Sequence, residues 1–130
     1  MYDVIVEFEE NSRVKTKTSY TAVVSTGIAS CASAWDPHSV AMTLGIRGEA
    51  SAAANSMAIA MGDHSTAYGD VGAWLILTEQ TDSGMRVVPV YIDGETYQAY
   101  SRYALHGGEV VNVDDIVRIQ RKLQDHLVAT

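Results

Sequence analysis

Large apolar residues alternate with small or hydroxylic ones through the middle of this chain. Four windows share the pattern: Thr21-Ala-Val-Val-Ser-Thr26, Ser39-Val-Ala-Met-Thr-Leu44, Ser56-Met-Ala-Ile-Ala-Met61 and Ala73-Trp-Leu-Ile-Leu-Thr78. Their starts, Thr21, Ser39, Ser56 and Ala73, follow one another at a nearly constant step. Within a window the period is two: Val40, Met42 and Leu44 alternate with Ser39, Ala41 and Thr43, and Met57, Ile59 and Met61 with Ser56, Ala58 and Ala60. Period two is the mark of a strand, and a fixed spacing between similar strands is the mark of a repeat architecture. Gly27, Gly45 and Gly62 follow the first three windows, and Ala32, Ala50 and Ala67 stand five residues further on. These glycines suit crowded or positive-φ positions where a coil turns. The Ser/Ala-rich segments 29–34, 49–54 and 65–68 supply a second strand per coil. Alanine's helix preference offers a competing reading for 50–61, but the period is wrong and glycines bracket the segment. The pattern therefore predicts a mainly β chain built on a short parallel β-solenoid, with coils of about 17 residues whose strands pair in parallel.

Stacking the windows in register yields two ladders. One is large, Val24/Met42/Ile59/Ile76 beside Ala22/Val40/Met57/Trp74; the other is small, Ser25/Thr43/Ala60 and Thr21/Ser39/Ser56/Ala73. A coil this short encloses little volume, so the small ladder is expected inside and the large one outside. A contiguous apolar surface of that kind calls for a cover. Either the flanking segments or further copies of the chain, as a dimer or trimer, would supply it.

The flanks extend the β reading into a single domain. Residues 1–20 read as an N-terminal β-hairpin, with Glu7, Glu9 and Glu10 facing Arg13, Lys15 and Lys17 across strands. Residues 21–79 are the coils, with Glu79–Gly84 as a polar exit loop. Residues 80–112 form a β-hairpin region: Val87–Ile92, the turn Asp93-Gly94, a strand with Tyr97 and Tyr100, then Tyr103–Leu105, His106-Gly107-Gly108 and Glu109–Val113. From 113 to 130 the period changes. Val113, Ile116, Gln120, Leu123 and Leu127 recur at alternating steps of three and four, a two-heptad helical seam that Asn112 or Asp114 can cap. Two heptads need a partner, either the chain's own domain or another copy.

Composition narrows the functional classes. With 130 residues and 47% apolar content the chain can bury one core. Nine Lys+Arg against sixteen Asp+Glu give −7, which disfavours a nucleic-acid backbone as partner. No apolar run reaches the ~18 residues of a membrane helix, and the N-terminus has no signal-peptide pattern. Cys31 stands alone and forms no disulfide framework.

No catalytic constellation emerges. His38, His64, His106 and His126 lack metal-ligand spacing, and Asp63-His64-Ser65 are extended-chain neighbours pointing to opposite faces. Acyltransferase solenoids repeat an apolar-Gly hexapeptide, whereas Leu44-Gly45 and Met61-Gly62 recur only once per coil. Enzyme, metal and cofactor are therefore not expected. The candidates are interface residues instead: Trp74, Tyr91, Tyr97, Tyr100, Arg102 and Tyr103, because Tyr, Trp and Arg dominate interfaces, together with Ile116, Leu123 and Leu127 of the seam. Part of the tyrosine set would alternatively cover the end of the solenoid.

The small-residue coils resemble the β-roll repeats of trimeric autotransporter adhesin heads. The combination with Gly72-Ala-Trp74-Leu-Ile-Leu-Thr-Glu79 and Tyr91-Ile-Asp93-Gly94 resembles small phage and prophage proteins over residues 21–113. The resemblance implies a fold and a phage setting. The expected function is then a non-catalytic interaction protein that binds a host protein, specifically an acidic inhibitor of a nucleic-acid-acting defence complex, similar to anti-CRISPR proteins. The alternative is a structural virion or adhesin-type oligomeric solenoid.

Overall fold

The computed structural model describes residues 3–16 and 18–128, with the side chains of Asp3, Arg118 and 125–128 outside the described set. Strands β1 (Asp3–Glu7), β3 (Thr21–Ser25), β5 (Val40–Thr43), β7 (Met57–Ala60) and β9 (Trp74–Thr81) stack in parallel in one sheet. Strands β2 (Arg13–Lys15), β4 (Cys31–Ala34), β6 (Glu49–Ala52) and β8 (Thr66–Gly69) stack in parallel in a second. The chain alternates between the sheets, making a β-solenoid of about four turns. Registers follow the repeat: Val24 pairs with Met42, Met42 with Ile59 and Ile59 with Ile76, while Ala32 pairs with Ala50 and Ala50 with Ala67.

The first coil begins earlier than the sequence suggested. Residues 3–15 are not a hairpin: β1 pairs in parallel with β3 and β2 with β4. Ile5, Val14 and Thr16 pack inward beneath Val23, Ala32 and Ala34. That places Glu7 on one sheet and Arg13 and Lys15 on the other, so they do not face each other across strands; Lys17 lies outside the described residues. Glu7 instead accepts hydrogen bonds from the Phe8 and Glu9 amides, at 3.1 and 3.2 Å.

The interior is a stack of small side chains. Ala32, Ala34, Ala41, Ala50, Ala52, Ala58 and Ala67 are fully buried, with larger side chains at the two ends of the stack: Ile5, Val14 and Val23 at the N-terminal one, Leu75 and Leu77 at the C-terminal one. Corner hydroxyls tie the coils together. The Thr21 amide donates to Ser39 Oγ and the Ser39 amide to Ser56 Oγ, both at 3.2 Å, and Ser56 Oγ donates to the Asp36 carbonyl at 2.9 Å. At the opposite corner the Gly48 amide donates to Ser65 Oγ, which donates to the Gly45 carbonyl, both at 3.1 Å. These bonds satisfy backbone groups that a bend removes from the ladder.

The repeat glycines serve close approach rather than positive φ. A Cβ on Gly45 would overlap the carbonyl oxygen of Gly27, and one on Gly62 that of Gly45. The left-handed corners fall elsewhere in the coil, mostly on residues other than glycine. Asn11, Ala29, Arg47 and His64 form one column at φ 55–59°, and Tyr20, His38 and Asn55 form another at φ 60–63°. Asparagine tolerates this region readily; the others hold it because the coils above and below dictate the bend.

At the C-terminal end the direction reverses. Strand β10 (Gly84–Tyr91) pairs antiparallel with β9 across a tight turn, so the expected polar loop at 79–84 is mostly strand. Residues 93–102 hold no strand, contrary to the reading of Tyr97 and Tyr100: Asp93 Oδ1 accepts the Glu95 and Tyr97 amides at 2.9 and 3.1 Å and folds the segment into a turn. Strand β11 (Tyr103–His106) joins the second sheet beside β8 and pairs with β12 (Glu109–Asn112). Val90, Ile92, Tyr103 and Leu105 close the interior from above. Helix α1 (Val113–Val128) follows, capped by Asn112 Oδ1, which accepts the Asp115 amide at 3.1 Å.

Candidate interaction surface

The outward positions of the first sheet form one continuous face. Its middle row runs Val6, Val24, Met42, Ile59, Ile76 and Pro89 across six strands, and the row beside it runs Val4, Ala22, Val40, Met57, Trp74 and Tyr91. A third row continues the same ladders through Phe8, Thr26, Leu44, Met61, Thr78 and Val87. None of these positions carries an acidic or basic side chain. Many are solvent-exposed: Val4 71%, Phe8 73%, Val87 52%, Trp74 44% and Leu44 43%. The sequence pointed to the four central strands only. The edge strands β1 and β10 widen the face, and the signal for β1 was present, since Val4, Val6 and Phe8 stand one repeat before Ala22, Val24 and Thr26.

Alternation creates this surface. Because the small side chains must occupy the narrow interior, each strand turns its large residues outward. Trp74 and Tyr91 end the first row with rings 5.1 Å apart. Both candidates thus lie on the face.

The remaining aromatic candidates separate. Tyr103 is buried, its hydroxyl accepting the Gln98 amide at 2.7 Å, and Tyr97 packs edge-on against it at 5.6 Å. Both belong to the cap: the alternation of β11 turns Tyr103 inward, and the 93–102 turn lays Tyr97 against it. Arg102 is spent on Asp114: its backbone amide reaches Oδ2 at 2.9 Å, its Nε and Nη2 reach Oδ1 at 2.8 and 2.7 Å, and the carboxylate raises the guanidinium pKa. This clamp holds the start of α1 to the cap. Tyr100 is exposed and stacks on Trp35 at 6.0 Å. Trp35 in turn donates from Nε1 to Ser51 Oγ at 3.1 Å and so lies against the second sheet, while His38 keeps its place in the corner column and stacks on Tyr20 at 5.3 Å.

On α1, Ile116, Ile119 and Leu123 are 43%, 58% and 60% exposed, so the seam does not dock along its length on its own domain. Leu127 has its side chain outside the described set. Ile119 joins the exposed stripe without having been part of the sequence-derived seam.

Depressions occur both on and off the apolar face, and one of about 390 Å³ lies at its edge, lined by Val40, Met57, Trp74 and Tyr91 with His38 and Asn55 of the adjoining corner. A wedge of about 800 Å³ opens between the Met61–Thr66 corner and the β11–β12 hairpin, because β11 pairs with β8 only through Tyr103 and Ala67. The Glu79 carboxylate braces that hairpin, accepting the Gly107 and Gly108 amides at 2.6 and 3.0 Å beside Arg86, and these donors lower its pKa. Asp63 and His64 lie exposed at its rim while Ser65 is buried and fully engaged, so the three do not act together. A groove of about 390 Å³ on the second sheet is lined by Arg13, Lys15, Cys31, Ser33, Glu49 and Tyr68. Burial, then Glu49, raises the Cys31 thiol pKa, with Arg13 opposing. Among the described residues no group of three His, Cys, Asp or Glu side chains could hold a metal, and no helix is long and apolar enough to cross a membrane.

Comparison of the chain with family models, curated proteins and solved structures finds no significant match.

Proposed function

We propose that the protein is a non-catalytic interaction protein of the phage type that its repeats resemble, working through the outer face of the first sheet. The observation that supports this reading is the face itself: three apolar rows across six strands, free of acidic and basic side chains in a chain of net charge −7. A surface of that composition is costly to leave in water and is suited to burial against another protein.

The reading favours the assembling solenoid over the acidic inhibitor of a nucleic-acid-acting complex, because the charge lies off the face. Replacing Met42 and Ile59 with lysine tests it, since both side chains point outward and their loss leaves the interior intact. The double variant is expected to melt within a few degrees of the native chain and to lose the native chain's associations in sedimentation and affinity capture. Identical association profiles for the two proteins would remove the face from the account.

A further inference from the structure

We infer that the occupant of this face is a second copy of the same chain, paired face to face about a two-fold axis parallel to the solenoid axis. The inference rests on the reading of the face as the working surface and names its partner. Pitch is the first reason. Side chains in the middle row recur at the strand spacing of about 4.8 Å, from Val6 through Val24, Met42 and Ile59 to Ile76. Another solenoid face with the same pitch stays in step with this row along its whole length, and its own rows can seat beside it, as paired sheets do in dry zippers. A helix repeats every ~5.4 Å, so it drifts by about 3 Å, more than half a step, over five strand gaps.

Charge supplies the second reason. Each copy carries −7, and two such chains repel unless the contact keeps their carboxylates apart. The apolar face does so, and it offers a partner of opposite charge nothing to recognise.

Area and closure supply the third. Six strands by three rows cover roughly 29 by 20 Å, or about 600 Å² in plan, short of the ~800 Å² per partner of a standard interface. Ile116, Ile119 and Leu123 are also exposed, on a helix that follows β12 of the second sheet and is not counted in that area. Because α1 starts at the capped end, clamped by Arg102, the two helices share one end only when the solenoid axes run parallel. The second sheet turns Arg13, Lys15, Glu49, Thr66 and Tyr68 outward. Among the described residues only the first sheet turns an uncharged apolar face outward, so sheet-to-sheet pairing closes at two copies.

The test uses the full chain, by light scattering from about 1 to about 100 µM. The expected mass is twice 14.0 kDa. Met42→Lys with Ile59→Lys should raise the dissociation constant by about 100-fold or more, because it buries unpaired charge at the contact. In a Cys31→Ser background, Val6→Cys should cross-link to its own counterpart on oxidation, since the parallel arrangement places equal coils opposite each other. An antiparallel pair would set Val6 against the β10 end and give no cross-link, overturning the geometry. A dimer that survives the lysine pair overturns the choice of face, and a trimer overturns the two-fold closure. A native chain that stays monomeric at the top concentration overturns the inference. If in that case the lysine pair still abolishes binding to a different protein, the proposed working surface stands; if it changes no association, both fall.

Discussion

Thr43 tests the account of the interior more sharply than any surface residue. It is fully buried, stacked in register on Ser25, and neither hydroxyl has a hydrogen-bond partner. Thr43 Oγ1 lies so close to Gly48 that a Cβ there would overlap it. An unpaired hydroxyl out of water costs about 1–3 kcal/mol. Valine has nearly the same shape and the same β-branching, so Thr43→Val should stabilise the fold by about 1 kcal/mol or more, raising the melting temperature by roughly 4 °C for a domain of this size. Ser56→Ala is the counterpart. Its hydroxyl accepts from the Ser39 amide and donates to the Asp36 carbonyl, so its removal orphans two backbone groups and should cost about 1–3 kcal/mol. Urea unfolding followed by circular dichroism, at one fixed protein concentration because association adds to stability, measures both. If Thr43→Val unfolds at lower urea with an unchanged slope, the hydroxyl is hydrogen-bonded in the native state and the coil is wider than its alanine stack implies.

Three further outcomes follow from the corners and the titrating groups. Ala29 sits at φ 55° in an exposed corner; a left-handed alanine costs about 1–2 kcal/mol while glycine's extra chain entropy costs about 0.5–1, so Ala29→Gly should raise the thermal midpoint slightly, and a fall would show that the corner is unstrained. The Glu79 pKa is lowered chiefly by the Gly107 and Gly108 amides, so its contribution is complete above the ordinary glutamate value and disappears as pH falls through the lowered folded value. The stability gap between the native chain and Glu79→Gln should therefore shrink in acid, and a gap that stays constant down to about pH 3 would contradict the brace. Cys31, raised by burial and then by Glu49, should react with a thiol reagent at mildly alkaline pH more slowly than in urea, and Glu49→Gln should accelerate it; no change would separate the thiol from that carboxylate.

The repeat is legible along the chain. Alternation at period two, the near-constant step between windows and the glycine after each of the first three are local facts, and they were enough to place β3 to β9 in parallel register and to send Ala41, Ala58 and Thr43 inward. The helix at 113–128 and its Asn112 cap were legible for the same reason, since period and capping are read along the chain. Three matters belonged to tertiary structure alone. The first is that β1 and β2 join the stack: their charges suggested a hairpin, yet a strand's partner is set by which backbone edge is free, and β3 and β4 offered theirs. The second is where the tyrosines point: Tyr103 turns inward because β11 closes over the stack beside β8, and the Asp93 turn brings Tyr97 against it. The third is the width of the apolar face. Its middle row is local alternation, but its edges exist only because a coil folded one repeat upstream and a hairpin folded back from β9 extend the same sheet beyond the strands whose pattern is repeated.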